Sequence, residues 1–290
     1  MAIQRRIIDI QSPQPHQGFL GPDHTARALI QKDFSQTDPF ILLMDDRLDK
    51  QGGEPVGGPH PHAGFETVSL LLEGEMGHAE HQMKEGDFQL MTAGSGVIHT
   101  ETIDRRVRIW LLQLWLNLPK KDRWAVPRVQ DLPLEHVPTV VETGLKIRVY
   151  SGALAGVSSP VQNYVPLIIA DIQLKPGITT IQQIPASYTA FLYVIEGSVQ
   201  VGEESKVLGL NQVGWLNKSA GPDQSELQIT AGAAGGRLVL YAGQPQGDQI
   251  VSHGPFIGDT KEDIMELYKE YRQGKMQHIS VVAETQKIRW

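Results

Sequence analysis

The run Val68-Ser69-Leu70-Leu71-Leu72-Glu73-Gly74-Glu75-Met76 returns later in the chain as Phe191-Leu192-Tyr193-Val194-Ile195-Glu196-Gly197-Ser198-Val199, an offset of 123 residues from Gly74 to Gly197. Ala93-Gly94 returns as Ala220-Gly221 at an offset of 127, with Phe88 aligned to Trp215. A period this long is a duplicated domain rather than a solenoid unit. Each copy is a short apolar run that ends in a Glu-Gly turn, the pattern of a buried strand entering a hairpin. The chain is therefore expected to be all-β, with two similar units.

Other strands fit this frame. Ile41–Met44, Thr67–Leu72, Phe88–Thr92, Arg106–Leu118 and Leu167–Leu174 are apolar runs bounded by Gly, Pro or Asp. Residues 1–36 read as extended and irregular. Pro119-Lys120-Lys121-Asp122 ends an N-terminal domain over 1–122, 123–144 is punctuated like a linker, and 145–290 forms a C-terminal domain. One helix is expected over 260–273, because Ile264, Leu267, Tyr268 and Tyr271 recur at i, i+3, i+4 and i+7. Asp259 or Thr260 can cap it and Gly274 can stop it. A strand over Ile279–Val282 would follow.

Several chemistries drop out. The chain has no cysteine, which removes disulfides, thiolate metal sites and thiol nucleophiles. A net charge of -7 and a pI near 5.8 oppose a nucleic-acid or acidic-membrane surface. The Lys120-Lys121 pair is too small to reverse that. The N-terminus has two arginines without a long apolar stretch after them, unlike a secretory signal. Ile109–Leu118 is too short to span a bilayer. A cytoplasmic location is the expectation. No phosphate-binding loop, dinucleotide fingerprint or nucleophile elbow occurs.

The histidines carry the chemistry that is left. His60 and His62 stand two apart, as do His99 and Glu101, and side chains two apart on a strand share a face. The pairs can then converge on one ion from two strands. Carried forward by the repeat, His60 and His62 fall on Gln183 and Pro185, and His99 and Glu101 fall on Glu226 and Gln228. The second copy keeps none of these histidines, so the fold does not need them for packing. Three imidazoles and a carboxylate suit Fe(II), Mn, Ni, Cu or Zn, in an open octahedron or a closed tetrahedron. Glu66, four residues after His62, competes with Glu101 for the carboxylate role, and spacing leaves the two even. Phe65, Met91 and Trp110 lie near the ligands in sequence and are expected in the core. His78 and His81 read as solvated turn residues. The isolated His16, His24, His136, His253 and His278 carry no assigned role.

The stretch His60-Pro61-His62-Ala63-Gly64-Phe65-Glu66-Thr67-Val68, then Leu72-Glu73-Gly74, then Met91-Thr92-Ala93-Gly94-Ser95-Gly96-Val97-Ile98-His99-Thr100-Glu101 resembles pirin, a bicupin family. Asp38-Pro39-Phe40, Gln113-Leu114-Trp115-Leu116-Asn117-Leu118-Pro119 and Gly254-Pro255-Phe256 extend the resemblance nearly end to end. It implies two cupin (double-stranded β-helix, jelly-roll) barrels in tandem and a short C-terminal helix, with metal only in the N-terminal barrel. It places the ligands on His60, His62, His99 and Glu101, favouring Glu101 over Glu66, and implies iron. The segment from His78 to Asp87 departs from the family by being shorter than its usual hairpin, which bears on substrate preference.

Two functions follow from the resemblance. One is a dioxygenase similar to quercetin 2,3-dioxygenase, with a phenolic small molecule and O2 as partners and Glu101 as the catalytic base. The other is a metal-containing, redox-switched regulator that acts through protein partners without turnover, since eukaryotic pirins are nuclear transcriptional co-regulators. Neither needs direct nucleic-acid or membrane contact. A cupin isomerase has no supporting feature beyond the barrel.

Overall fold

The structure is a computed structural model that describes residues 3–77, 82–221 and 223–290. Among the described residues it is mostly β-strand, and the single helix longer than one turn is Lys261–Arg272. His78 and His81 lie outside the described residues, as does part of the short hairpin that departs from the family pattern.

The chain forms two compact units, each completed by a segment remote in sequence. One comprises Met1–Pro13 and Val137–Pro245, the other Gln14–His136 and Gln246–Trp290. The expected boundaries at 122 and 145 differ from this division at both chain ends. The reason is edge completion, since an open strand edge carries unpaired N–H and C=O groups. Ile7–Gln11 pairs with Val213–Leu216 in the first of these units. Lys287–Arg289 pairs in parallel with Arg128–Leu132 in the second. The helix likewise belongs to the unit that bears the histidines.

The Val137–Pro245 unit is built around Gln224–Gly243, a long strand paired with Leu167–Leu174, Thr179–Pro185 and Thr189–Val201. Its core follows the period of two: Ile168, Ala170, Ile172 and Leu174 line one strand, Ala190, Leu192 and Val194 another. The histidine-bearing unit holds an eight-stranded sheet in the order Lys287–Arg289, Arg128–Leu132, Phe88–Thr92, Phe65–Glu73, Val107–Asn117, Phe40–Lys50, His24–Ala28, His16–Gln17.

Three local expectations change. Residues 1–36 contain the strands Ile3–Gln4, Ile7–Gln11, His16–Gln17 and His24–Ala28. Segment 123–144 is no plain linker, since Arg128–Leu132 pairs with Phe88–Thr92 and Thr139–Glu142 with Leu145–Ser151. Its prolines at 127, 133 and 138 flank these strands, where a missing N–H costs nothing to the ladder. Ile279–Val281 forms a 3-10 turn instead of a strand, because His278 Nδ1 accepts the Ser280 N–H and caps it. The helix itself is as expected. Thr260 Oγ1 accepts from the Asp263 N–H, and Asp263 accepts in return from the Thr260 N–H, a reciprocal capping box.

Candidate metal centre

His60–His62 and Val97–His99 form a small two-stranded antiparallel sheet. His99 stands directly opposite His60, while His62 lies one pleat further along the same face, opposite Val97. The period of two thus brings three imidazoles to one point. His62 Nε2 is 3.0 Å from His99 Nε2, which is 2.7 Å from His60 Nε2. Ligand atoms from all three lie within 4.8 Å of one another.

The register reproduces the duplication. In the other unit Gln183 pairs with Glu226 and Pro185 with Gln224, the counterparts of the His60–His99 and His62–Val97 pairs. There the equivalent of the histidine contact is an exposed hydrogen bond from Gln183 Nε2 to Glu226 Oε1, at 3.2 Å. The same backbone carries the pair without any imidazole.

Remote segments hold the ligand strands in place. The Ile257 N–H donates to the Ala63 carbonyl at 3.0 Å, and the Ile98 N–H donates to the Gln277 carbonyl at 2.9 Å. Ala63 packs with Phe256, Ile264, Leu267 and Met276, so the helix backs the turn after His62. Gly64, with φ +85°, permits this approach, since a Cβ there would lie 1.9 Å from the Ile257 carbonyl oxygen. The buried Arg123 guanidinium donates to the Gly64 carbonyl at 3.0 Å, to Asn117 Oδ1 at 2.9 Å and to Asp259 Oδ1 at 2.7 Å.

The donor chemistry fits a metal ion. His60 Nδ1 donates to the Gly58 carbonyl at 2.8 Å, which leaves its Nε2 lone pair for the centre. Neighbouring ligands at right angles around an ion with bonds of about 2.0–2.1 Å stand roughly 3 Å apart. The observed 2.7 and 3.0 Å spacings match that edge. Burial first, and then the charge of His60, pushes His62 down to about 3, while the Pro255 carbonyl opposes without normal hydrogen-bond geometry. Burial, then His62, His60 and His278, holds His99 well below the usual imidazole range. Both rings are neutral at physiological pH, the form that binds metal.

A stability prediction follows. In the unfolded chain these imidazoles protonate near about 6.5, whereas in the fold they resist protonation to far lower pH. Acid therefore favours the unfolded state, and metal-free protein loses stability as pH falls from about 6.5 towards 3. At pH 5.5 each ring should cost about 1.4 kcal/mol relative to pH 7.5, or about 3 kcal/mol together. Urea denaturation of chelator-treated protein at the two pH values measures this. His62→Gln should remove about half of the drop.

Glu101 follows the end of its strand at His99, so the strand-face argument that seats His60 and His62 does not extend to it. Its N–H donates to the Gly57 carbonyl at 3.0 Å, and its Oε1 accepts from Gln113 Nε2 at 3.4 Å. The residue is partly buried and lines the cavity beside His60. Burial pushes its carboxyl up, opposed by His60 and reinforced by Asp46. Its oxygens are not among those converging with the three imidazole nitrogens. Glu66 is fully buried, and its Oε1 accepts from Thr92 Oγ1 at 2.6 Å.

The cluster opens onto a cleft of about 610 Å³ lined by His60, His62, Glu101, Leu42, Met44 and Trp115, among others. Its size is that of small-molecule sites. Trp115 and Phe65 pack edge-on against the His62 ring, with centroids at 5.4 and 5.3 Å. Phe65 and Met91 are core residues, as expected. Trp110 faces away from the centre, where its Nε1 donates to Asp45 and Arg47 lies over its ring. Sequence reading passed over Gln113, Trp115, Asp46 and Pro255. A signal was available for Asp46 and Gln113, since each interrupts an otherwise apolar alternation.

Two family models match this chain: Pirin over residues 23–116 and the Pirin C-terminal cupin domain over 169–277. A pirin-like protein of Solanum lycopersicum is 34% identical, with 86% of this chain and 85% of that protein covered. Quercetin 2,3-dioxygenase from Acinetobacter baumannii is 25% identical with a TM-score of 0.82, covering 95% of this chain and 99% of that one. The bacterial pirin of Escherichia coli in complex with nickel(II) has a TM-score of 0.59 at 15% identity, covering 82% of this chain and 98% of that one. No helix among the described residues is long and apolar enough to cross a membrane.

Proposed function

The chain belongs to the pirin family, and from that premise we propose that its histidine-bearing unit is the active site of a metal-dependent, ring-cleaving dioxygenase of the quercetin 2,3-dioxygenase type. The observation that carries this reading is the convergence of three imidazoles, those of His62 and His99 buried, beside an apolar cleft of small-molecule size. His60, His62 and His99 would hold a divalent transition metal, iron(II) first, with Glu101 as the carboxylate beside it. When bound, the ion supplies Lewis acidity towards a hydroxy-ketone and access to one-electron chemistry with O2.

The chain's own residues supply the rest. Trp115, Leu42 and Met44 offer flat and apolar surface to an aromatic ring and exclude water from it. Burial raises the proton affinity of Glu101, which suits a carboxylate that takes a proton from the substrate hydroxyl. Gln113, donating to Glu101 Oε1, orients that carboxylate. Gly57 sets its position: at φ +75°, a Cβ there would lie 2.4 Å from the Glu101 carbonyl oxygen.

The test is oxygen uptake and carbon monoxide release by iron-loaded protein on addition of quercetin. Uptake and release at comparable rates are expected. Iron-loaded protein that binds quercetin but consumes no oxygen overturns the oxygenase reading and turns the search to a protein partner.

A further inference from the structure

The inner face of the sheet beside the metal centre is written in two alternating rows. Leu42, Met44, Asp46 and Leu48 come from one strand, and Leu111, Gln113 and Trp115 from its neighbour, where Gln113 pairs with Met44 and Leu111 with Asp46. All seven line the cavities beside His60 and Glu101. Asp46 is the one ionisable group in the rows, and its side chain is 13% exposed. A carboxylate on a buried apolar face needs a reason, more so beside a second one, because Asp46 repels the charge of Glu101.

Asp46 is aimed with care. His24 is buried, and its Nε2 lies 2.9 Å from Asp46 Oδ1. The Leu20 N–H donates to His24 Nδ1 at 3.2 Å, which fixes the tautomer so that Nε2–H is the donor to Asp46. Gly18 lies so close over the imidazole that a Cβ there would fall 2.1 Å from His24 Nδ1. Phe19 closes edge-on at 5.5 Å. The turn at 18–20 thus holds one imidazole in one orientation, and that imidazole holds one carboxylate towards the cleft. His24 and Asp46 are not among the residues that converge on the metal centre.

We infer that Asp46, oriented by His24, is a specificity-determining residue whose carboxylate accepts a hydrogen bond from a hydroxyl on the part of the substrate remote from the metal-binding oxygens. The inference rests on the phenolic reading of the cleft and narrows it to polyhydroxylated rings. A hydroxyl reaching Asp46 satisfies a buried acceptor, and an analogue without it leaves that acceptor dry. Such a site rejects the hydroxyl-free ring more strongly than an apolar pocket can.

Two flavones that share the hydroxy-ketone separate the roles: quercetin, with further ring hydroxyls, and 3-hydroxyflavone, without them. Their binding to iron(II)-loaded protein is read under nitrogen by tryptophan fluorescence quenching, so no turnover is needed. Wild type should prefer quercetin, and Asp46→Asn, whose remaining carbonyl oxygen is held by the His24 Nε2–H so that its NH2 donor faces the cleft, should lower that preference about tenfold. His24→Phe, which leaves Asp46 unaimed, should lower it by a smaller factor. A preference unchanged in Asp46→Asn, even with both affinities reduced, assigns the pair a structural role and overturns the inference. Wild type that binds neither flavone overturns the phenolic reading, and the inference with it.

Discussion

His62→Ala should reduce metal content from near one ion per chain to below about a tenth, and abolish oxygen uptake with quercetin. Removing a group that merely orients a metal ligand typically costs about 10–100-fold in affinity, so losing a ligand should cost at least the upper end. His62 is 4% exposed and packs against Phe65 and Trp115, so the alanine also leaves a cavity worth roughly 2–3 kcal/mol. Metal analysis after gel filtration, paired with a thermal melt, separates the two effects. His62→Gln fills more of the cavity and should still lose the metal. A folded His62→Ala protein that keeps stoichiometric metal would falsify this three-histidine centre. The chain contains its own precedent, since Gln183 and Pro185 stand at the equivalent register and the strand pairing survives.

Arg123→Met should cost about 3–5 kcal/mol in the unfolding free energy of the histidine-bearing unit, the range for removing one partner of a buried ion pair. The side chain is completely buried, and it ties nearby Asn117 at a strand end to two remote partners, the Gly64 carbonyl after the ligand strand and Asp259 before the helix. Methionine matches the length and none of the donors, so the Gly64 carbonyl, Asn117 and Asp259 are left without them. Arg123→Lys should also lose most of this, because one ammonium cannot reproduce a fork that reaches three acceptors. Metal affinity should fall as well, since Gly64 lies two residues beyond His62. Urea denaturation measures the first effect and metal titration the second. A loss under about 1 kcal/mol would show that the guanidinium contributes little beyond packing.

What could be read beforehand depended on whether the signal was local. His60 and His62 converge because a strand has a period of two, and that period is visible in a tripeptide. A cap at Asp259 or Thr260 is equally legible, being local, and the structure selects Thr260 with Asp263 reciprocating three residues on. The same local rule overreached for Glu101, because the strand ends at His99 and nothing in His-Thr-Glu announces its end. Arg123 reads as the start of a linker, since two of its three acceptors are 59 and 136 residues away. The His24–Asp46 pair was missed for a milder version of that reason. Its halves are 22 residues apart on adjacent strands, and only their register brings them together.

The sequence by itself determined that the chain is a duplicated all-β protein, and that one copy carries histidines the other does without. Both follow from short-range periodicity and from comparing the chain with itself. Tertiary structure decided which segments complete which unit, what backs the ligand strands, and which polar groups face the cleft. Those outcomes depend on unpaired strand edges and buried polar groups finding partners. The partners are selected by where the sheet brings the backbone, and sequence distance carries no record of it.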